Sequence, residues 1–214
     1  VSAAEAAFIR AHTVLGRAAL VPELRLYLAT EITPIWQATE DWLAVRNIAP
    51  PFWAFAWPGG QVMARHMLDN PALVAGKRVL DFAAGGGIAA LAAVLAGAAD
   101  VEANEIDALA VAAIGLNAAE NGLAVRAVLG DIVGCACRWD LILAGDVCYE
   151  APMSGVVTVW LKECARAGAT VLMADPGRAY VPKTGLRRVA IYDVPTTLEL
   201  EDRITRRTTL YEFA

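Results

Sequence analysis

The chain is expected to be an α/β protein, a Rossmann-like seven-strand sheet that is mostly parallel, with an antiparallel C-terminal edge and an N-terminal helical extension. Three observations predict it. Helical and strand-like segments alternate from residue 61 to residue 174, the order that produces a parallel sheet covered on both faces. The stretch "DFAAGGGIAA", residues 81 to 90, joins an apolar run to an alanine-rich helix through glycines, as in a strand, turn and helix that hold a nucleotide. Two β-rich segments, "GLRRVAIYDV" and "RITRRTTLYEF", close the chain.

The elements follow in order. Apolar side chains at Ala7, Phe8, Ala11, Val14, Leu15 and Ala18 lie on one helical stripe, with Ser2 and Glu5 placed as a capping box, so a helix is expected from Ala3 to Ala18. Pro22 is expected to end it, "ELRLYLAT" alternates like a short strand, and Pro34 to Val45 returns to helical spacing. Next comes "APPFWAFAWPGG", an aromatic cluster that reads as a plug packed under a loop. The regular part is then read as helix 61–69, strand 78–82, helix 88–97, strand 100–104, helix 108–120, strands 125–129 and 140–145, helix 152–166 and strand 169–174. Asn121-Gly122 and Gly168 supply helix stops. The last two segments, joined through Pro195 and acidic residues, are expected to pair antiparallel at the sheet edge. Residues 1–60 are accordingly assigned to an N-terminal extension packed on the core, and 61–214 to the core of a single domain.

Composition narrows the classes of function. With 214 residues, 57% of them hydrophobic and 19% charged, the chain can bury roughly 70% of its unfolded surface without staples. A net charge of −5 and only three lysines, Lys77, Lys162 and Lys183, argue against a broad nucleic-acid surface. The four cysteines form no CxxC and have only His12 and His66 to assist them, so no metal is expected and the thiols read as reduced and buried. No uncharged, unbroken apolar stretch reaches 18 residues, and the N-terminal region lacks the architecture of a signal peptide; the expectation is a protein of a bacterial cytoplasm, or of a mitochondrial matrix if it is a trimmed eukaryotic protein.

The glycine turn fits two ligands. Gly85, Gly87 and Ala90 satisfy G-x-G-x-x-A, and Glu105 lies 20 residues after Gly85, where an acid meets a ribose in a dinucleotide site. Asp81 discriminates, because a carboxylate ending the strand before the turn repels a pyrophosphate but attracts the ammonium and sulfonium of S-adenosylmethionine. Asp81 would then serve the methionine ammonium, or act as a charge partner at the helix N-terminus, and Glu105 the ribose hydroxyls, with neighbouring Asn104 among the cofactor contacts. Asp131, in "LGD", would meet the adenine amine or act only as a turn acid.

With these residues assembled, the chain resembles the class I, seven-strand S-adenosylmethionine-dependent methyltransferases, although Ala83 stands where their first glycine is usual. Four further segments, "FAWPGGQVMARHMLDNP", "ANEIDALAVAAIGLNAAENG", "WDLILAGDVCYE" and "MADPGR", make it similar to the electron-transfer flavoprotein β subunit lysine methyltransferases. That resemblance implies S-adenosylmethionine as cofactor and the flavoprotein β subunit as protein substrate. It also implies cofactor contacts at Trp57, Gly59 and Gly60, and an acceptor-lysine site at Asp146 and Tyr149, matching the D/E-x-x-Y/F motif. Arg178 would dock the partner or serve only in a turn.

The acceptor must be a neutral amine. Deprotonating a free lysine of pKa about 10.4 at pH 7 costs about 4.6 kcal/mol, and a sulfonium about 4 Å away repels an ammonium by roughly 4 kcal/mol at an effective dielectric near 20. Asp146 would capture and orient the ammonium, with water taking the proton. A small-molecule methyltransferase and, from another reaction class, a nicotinamide-dependent oxidoreductase are the alternatives.

Overall fold

A computed structural model describes residues 2–30, 33, 35, 43, 45, 49–197 and 201–214. The chain opens with α1 (Ala3–His12), capped by Ser2 and Glu5 in the reciprocal pair expected of a capping box. The helix expected to reach Ala18 stops here: Val14–Ala18 is strand β1, paired antiparallel with β2 (Val21–Leu28). Val14, Leu15 and Ala18 keep a helical spacing, but Gly16 is a weak helix former and pairs with Leu26 across the hairpin, so long-range pairing overrides it. Pro22 lies within β2 rather than between elements. The helix expected over 34–45 falls almost wholly outside the described residues.

A short 3-10 turn (Phe52–Ala54) leads into α2 (Pro58–Asp69), which begins three residues before the expected start because Pro58 occupies its first turn. Then follow β3 (Arg78–Phe82), α3 (Ile88–Leu95), β4 (Asp100–Glu105), α4 (Ala108–Glu120), β5 (Arg126–Leu129), β6 (Leu141–Gly145), α5 (Met153–Arg166), β7 (Thr170–Asp175), β8 (Leu186–Pro195) and β9 (Thr205–Phe213). Their ends all fall within two residues of expectation.

The sheet order is β5-β4-β3-β6-β7-β9-β8. All pairs from β5 to β7 are parallel, and β9 is antiparallel to both β7 and β8. The central strands bury both faces, which is why they read as continuous apolar runs. Val79, Leu141, Leu143, Leu172 and Ala174 pack under α2 and α3. Leu80, Phe82, Ile142, Ala144, Val171 and Met173 pack with Trp160 and Leu161 of α5. Period-two alternation puts Asp81 on the α2/α3 face, with Val79. The order reverses between β3 and β6, so their carboxyl ends part and leave a crevice, the usual ligand position in an open α/β sheet.

Among the described residues no helix is long and apolar enough to cross a membrane, and no group of three or more His, Cys, Asp or Glu could hold a metal ion.

Candidate cofactor and acceptor site

The crevice is floored by the turn after β3. Ala83, Gly85 and Gly87 have φ of 53°, 55° and 80°, and Gly87 caps α3 from this left-handed geometry. The turn is braced from three sides. Gly85 N donates to Glu105 Oε1 at 2.7 Å, Ala84 N donates to the Asn104 carbonyl at 3.1 Å, and Asn117 Nδ2 donates to the Gly86 carbonyl at 2.8 Å. A Cβ on Gly86 would stand 2.9 Å from the Trp53 carbonyl, so the 3-10 turn lies directly against this loop.

Ala83 carries a side chain in a conformation that favours glycine. The left-handed region costs an L-residue roughly 1–2 kcal/mol, partly offset in the alanine by lower unfolded-state entropy. Ala83→Gly should therefore stabilise the protein by about 0.5–1 kcal/mol, read as a higher urea midpoint at constant slope.

Asp81 is 3% exposed and accepts Ala90 N at 2.8 Å through Oδ2. Burial pushes its pKa from 3.8 to about 7, with the Ala90 hydrogen bond pulling down and the Glu105 charge pushing up. Glu105 is also raised, chiefly by burial, against the hydrogen bonds from Gly85 and Ile106. Its Oε2 accepts Ile106 N at 3.0 Å.

The opposite wall is the end of β6 against the start of α2. Asp146 Oδ2 accepts Gly59 N at 2.7 Å and Gly60 N at 3.3 Å, so the carboxylate sits on the positive end of α2. Asp146 N donates to the Ala174 carbonyl at 3.0 Å, and together these bonds hold Asp146 at φ 55°, a strain of the kind found at ligand sites. Its Oδ1 is buried with no partner. Burial and the Asp175 charge push its pKa up to about 7, opposed by Arg178 and the two glycine amides.

Gly59 is required by this close approach. A Cβ there would fall 2.5 Å from both the Ala174 carbonyl and Asp146 Oδ2, whereas on Gly60 it would meet only an Ile88 methyl at 3.0 Å. Gly59→Ala should destabilise the fold by about 2–3 kcal/mol through overpacking against backbone, with Gly60→Ala much milder. Urea unfolding of the two variants checks the contrast.

The mouth of the crevice is aromatic. Trp57 Nε1 donates to the Phe52 carbonyl at 2.8 Å, and its ring lies 5.7 Å from Phe55 and 6.1 Å from Phe52. Phe52 in turn meets Tyr149 edge-on at 5.8 Å. Phe52 and Tyr149 are 49% and 46% exposed, whereas Trp53 and Ala54 are buried in a core cluster, so the aromatic segment is a plug at Trp53 and an open rim at Phe52.

The crevice thus brings Trp57, Gly60, Asp81, Gly85 and Asp146 to one cavity, with Gly59 and Glu105 bonded to its walls. Gly87 acts from beneath, as the cap of α3. Tyr149 stands outside the lining, beside Phe52, and three further residues lie apart. Asn104 is turned toward β5, donating to the Val128 and Gly130 carbonyls at 3.2 and 2.8 Å. Asp131 is exposed and accepts Val133 N at 2.9 Å in a local turn. Arg178 donates to Glu201, which also pairs with Arg206 at 3.0 Å, tying the β7 exit to the segment between β8 and β9.

Comparison with known proteins decides the family. The model for ribosomal protein L11 methyltransferase (PrmA) matches residues 62–145. The electron transfer flavoprotein beta subunit lysine methyltransferase of Danio rerio is 36% identical over 88% of this chain and 75% of its own length; that of Xenopus laevis is 40% identical over 80% and 70%. This chain belongs to that lysine methyltransferase family. The Thermus thermophilus 16S rRNA N2 G1207 methyltransferase, solved with AdoMet and guanosine, shares the fold alone, with a TM-score of 0.53 at 19% identity over 74% of this chain and 43% of that one.

This methyltransferase is dependent on S-adenosylmethionine, and its cavity suits a cation. Two acids, Asp81 and Asp146, line it, and among the described residues no lysine, arginine or histidine does. Sequence reasoning overlooked Trp53 and Asn117, which also line it. For Asn117 a signal existed: an amide inside an alanine-rich apolar helix must be buried and therefore paired.

Proposed function

We propose that this enzyme methylates lysine side chains of the electron-transfer flavoprotein β subunit, with the amine entering past Tyr149 toward Asp146. The observation that carries the reading is the unpartnered, buried Oδ1 of Asp146, in a cavity with a second acid and, among the described residues, no basic side chain. A buried acceptor of this kind is costly until a donor reaches it, and a lysine ammonium is such a donor. The substrate assignment is supported by the names of the relatives.

When bound, S-adenosylmethionine supplies an electrophilic methyl on a cationic sulfur. Asp81 attracts the positive methionine end, and Glu105, fixed by Gly85 and Ile106, keeps lone pairs for ribose hydroxyls. Trp57, Gly59 and Gly60 form the wall facing them. Asp146 binds and aligns the incoming ammonium; it favours the charged amine, so its contribution is orientation, and the proton leaves to water. Tyr149 and Phe52 narrow the entrance and exclude solvent. Asn104 braces β4 against β5 from behind the strand, and Arg178 holds the loop that flanks Asp146. All four cysteines are free, which suits a reducing cytoplasm.

Incubation of a cell extract with methyl-labelled S-adenosylmethionine tests the reading. Label in a protein band at the mass of the flavoprotein β subunit is expected. Label confined to small solutes would make this a small-molecule methyltransferase.

A further inference from the structure

The back wall of the cavity depends on a side chain that the transfer chemistry does not use. Asn117 is 1% exposed within α4, and its amide is satisfied at both ends. Oδ1 accepts Tyr27 N at 2.8 Å, and Nδ2 donates to the Gly86 carbonyl at 2.8 Å. One turn later, Asn121 makes a reciprocal pair with Arg25, accepting its N–H at 2.9 Å and donating to its carbonyl at 2.7 Å. The side chain of Arg25 also meets Glu120 at 2.9 Å. Strand β2 pairs with β1 along one edge; its other edge is met by Asn117 of α4 and by Asn121, the residue that caps its C-terminus, in place of a third strand. Leu26 and Leu28 alternate with the gripped residues and line the cavity with Trp53, and Ala29 N donates to the Ala54 carbonyl at 2.8 Å to bind β2 to the 3-10 turn.

We infer that Asn117 is a positioning residue for the cofactor: a single carboxamide sets the glycine turn and the N-terminal hairpin relative to one another, so that both close on the same ligand. The hairpin is on this account a wall of the cofactor site. The inference rests on the reading that the crevice holds S-adenosylmethionine. Its physical basis is that a ligand held between two elements is held only as well as the elements are held to each other.

Hydrogen exchange on the unaltered protein gives the first test. Binding of S-adenosylhomocysteine should slow exchange of the Tyr27 and Arg25 amides by about tenfold or more, because opening of the hairpin would then require loss of ligand. Unchanged exchange at both, with ligand bound, would overturn the coupling. Asn117→Ala should raise the Kd for S-adenosylhomocysteine and the KM for S-adenosylmethionine by about tenfold, with kcat within about threefold. Asn117→Asp keeps the acceptor for Tyr27 N but loses the donor to Gly86, so it should weaken cofactor binding while Tyr27 stays protected. Asn121→Ala should loosen Arg25 with little change in affinity. Wild-type affinity in Asn117→Ala, or an equal fall in kcat and kcat/KM, would contradict the assignment. Failure of the unaltered protein to bind S-adenosylhomocysteine would instead remove the cofactor reading.

Discussion

Asp146→Asn is expected to reduce methyl transfer to protein by roughly 100-fold or more, about 2.7 kcal/mol at 1.36 kcal/mol per tenfold, with little change in affinity for S-adenosylhomocysteine. The asparagine carbonyl can still accept from Gly59 and Gly60, whose amides reach Asp146 Oδ2 at 2.7 and 3.3 Å, so the start of α2 stays anchored to the end of β6. What disappears is the negative charge beside the buried, unpartnered Oδ1, and with it the attraction that aligns an incoming ammonium. Asp146→Ala removes the cap as well and should cost about a further 1 kcal/mol of stability. Calorimetry with S-adenosylhomocysteine and label transfer to purified substrate separate the two effects. Transfer at the wild-type rate in Asp146→Asn would eliminate the role given to the carboxylate.

Asp81→Asn should have opposite effects on stability and function. Burial lifts the Asp81 pKa from 3.8 to about 7, so the folded protein without ligand holds a proton that the unfolded chain releases above pH 4. Stability from this group therefore falls as pH rises from about 4 to 7, by on the order of 4 kcal/mol at 1.36 kcal/mol per pKa unit. An asparagine keeps an acceptor for Ala90 N, carries no charge to desolvate, and should raise stability at pH 8 by a few kcal/mol while flattening that pH dependence. The cationic end of the cofactor needs the ionised acid, so the variant should lose most of its affinity. In the wild type, binding should tighten between pH 6 and 7.5 with release of a proton, visible as a buffer-dependent heat. Full affinity in Asp81→Asn would break the link between this acid and the ligand.

The fold could be read from sequence where a single period dominated. Val79-Leu80 and Leu141 to Ala144 are continuous apolar runs that alternate with helices, so the parallel strands could be expected, whereas the reversal between β3 and β6 emerged only from the strand order. The hairpin could not be expected: Val14, Leu15 and Ala18 fit a helical stripe, and only pairing with β2 makes them a strand. Asp81 was legible as a carboxylate ending the strand before the glycine turn, and Asp146 through its match to the D/E-x-x-Y/F motif. Their partners were less so. That Asp146 would rest on the amides of Gly59 and Gly60, 87 and 86 residues away, depends on a close approach that "WPGG" permits but does not specify. Asn104, though adjacent to Glu105, faces away from the cavity because side chains alternate along a strand. Asn117 gained its meaning only when helix, hairpin and glycine turn met around it.

The most direct test is peptide mass spectrometry of purified electron-transfer flavoprotein β subunit after incubation with the enzyme and S-adenosylmethionine. Lysine-containing peptides heavier by whole methyl groups, absent with Asp146→Asn, are the predicted result. An unmodified β subunit, from enzyme that binds S-adenosylhomocysteine normally, would contradict the account.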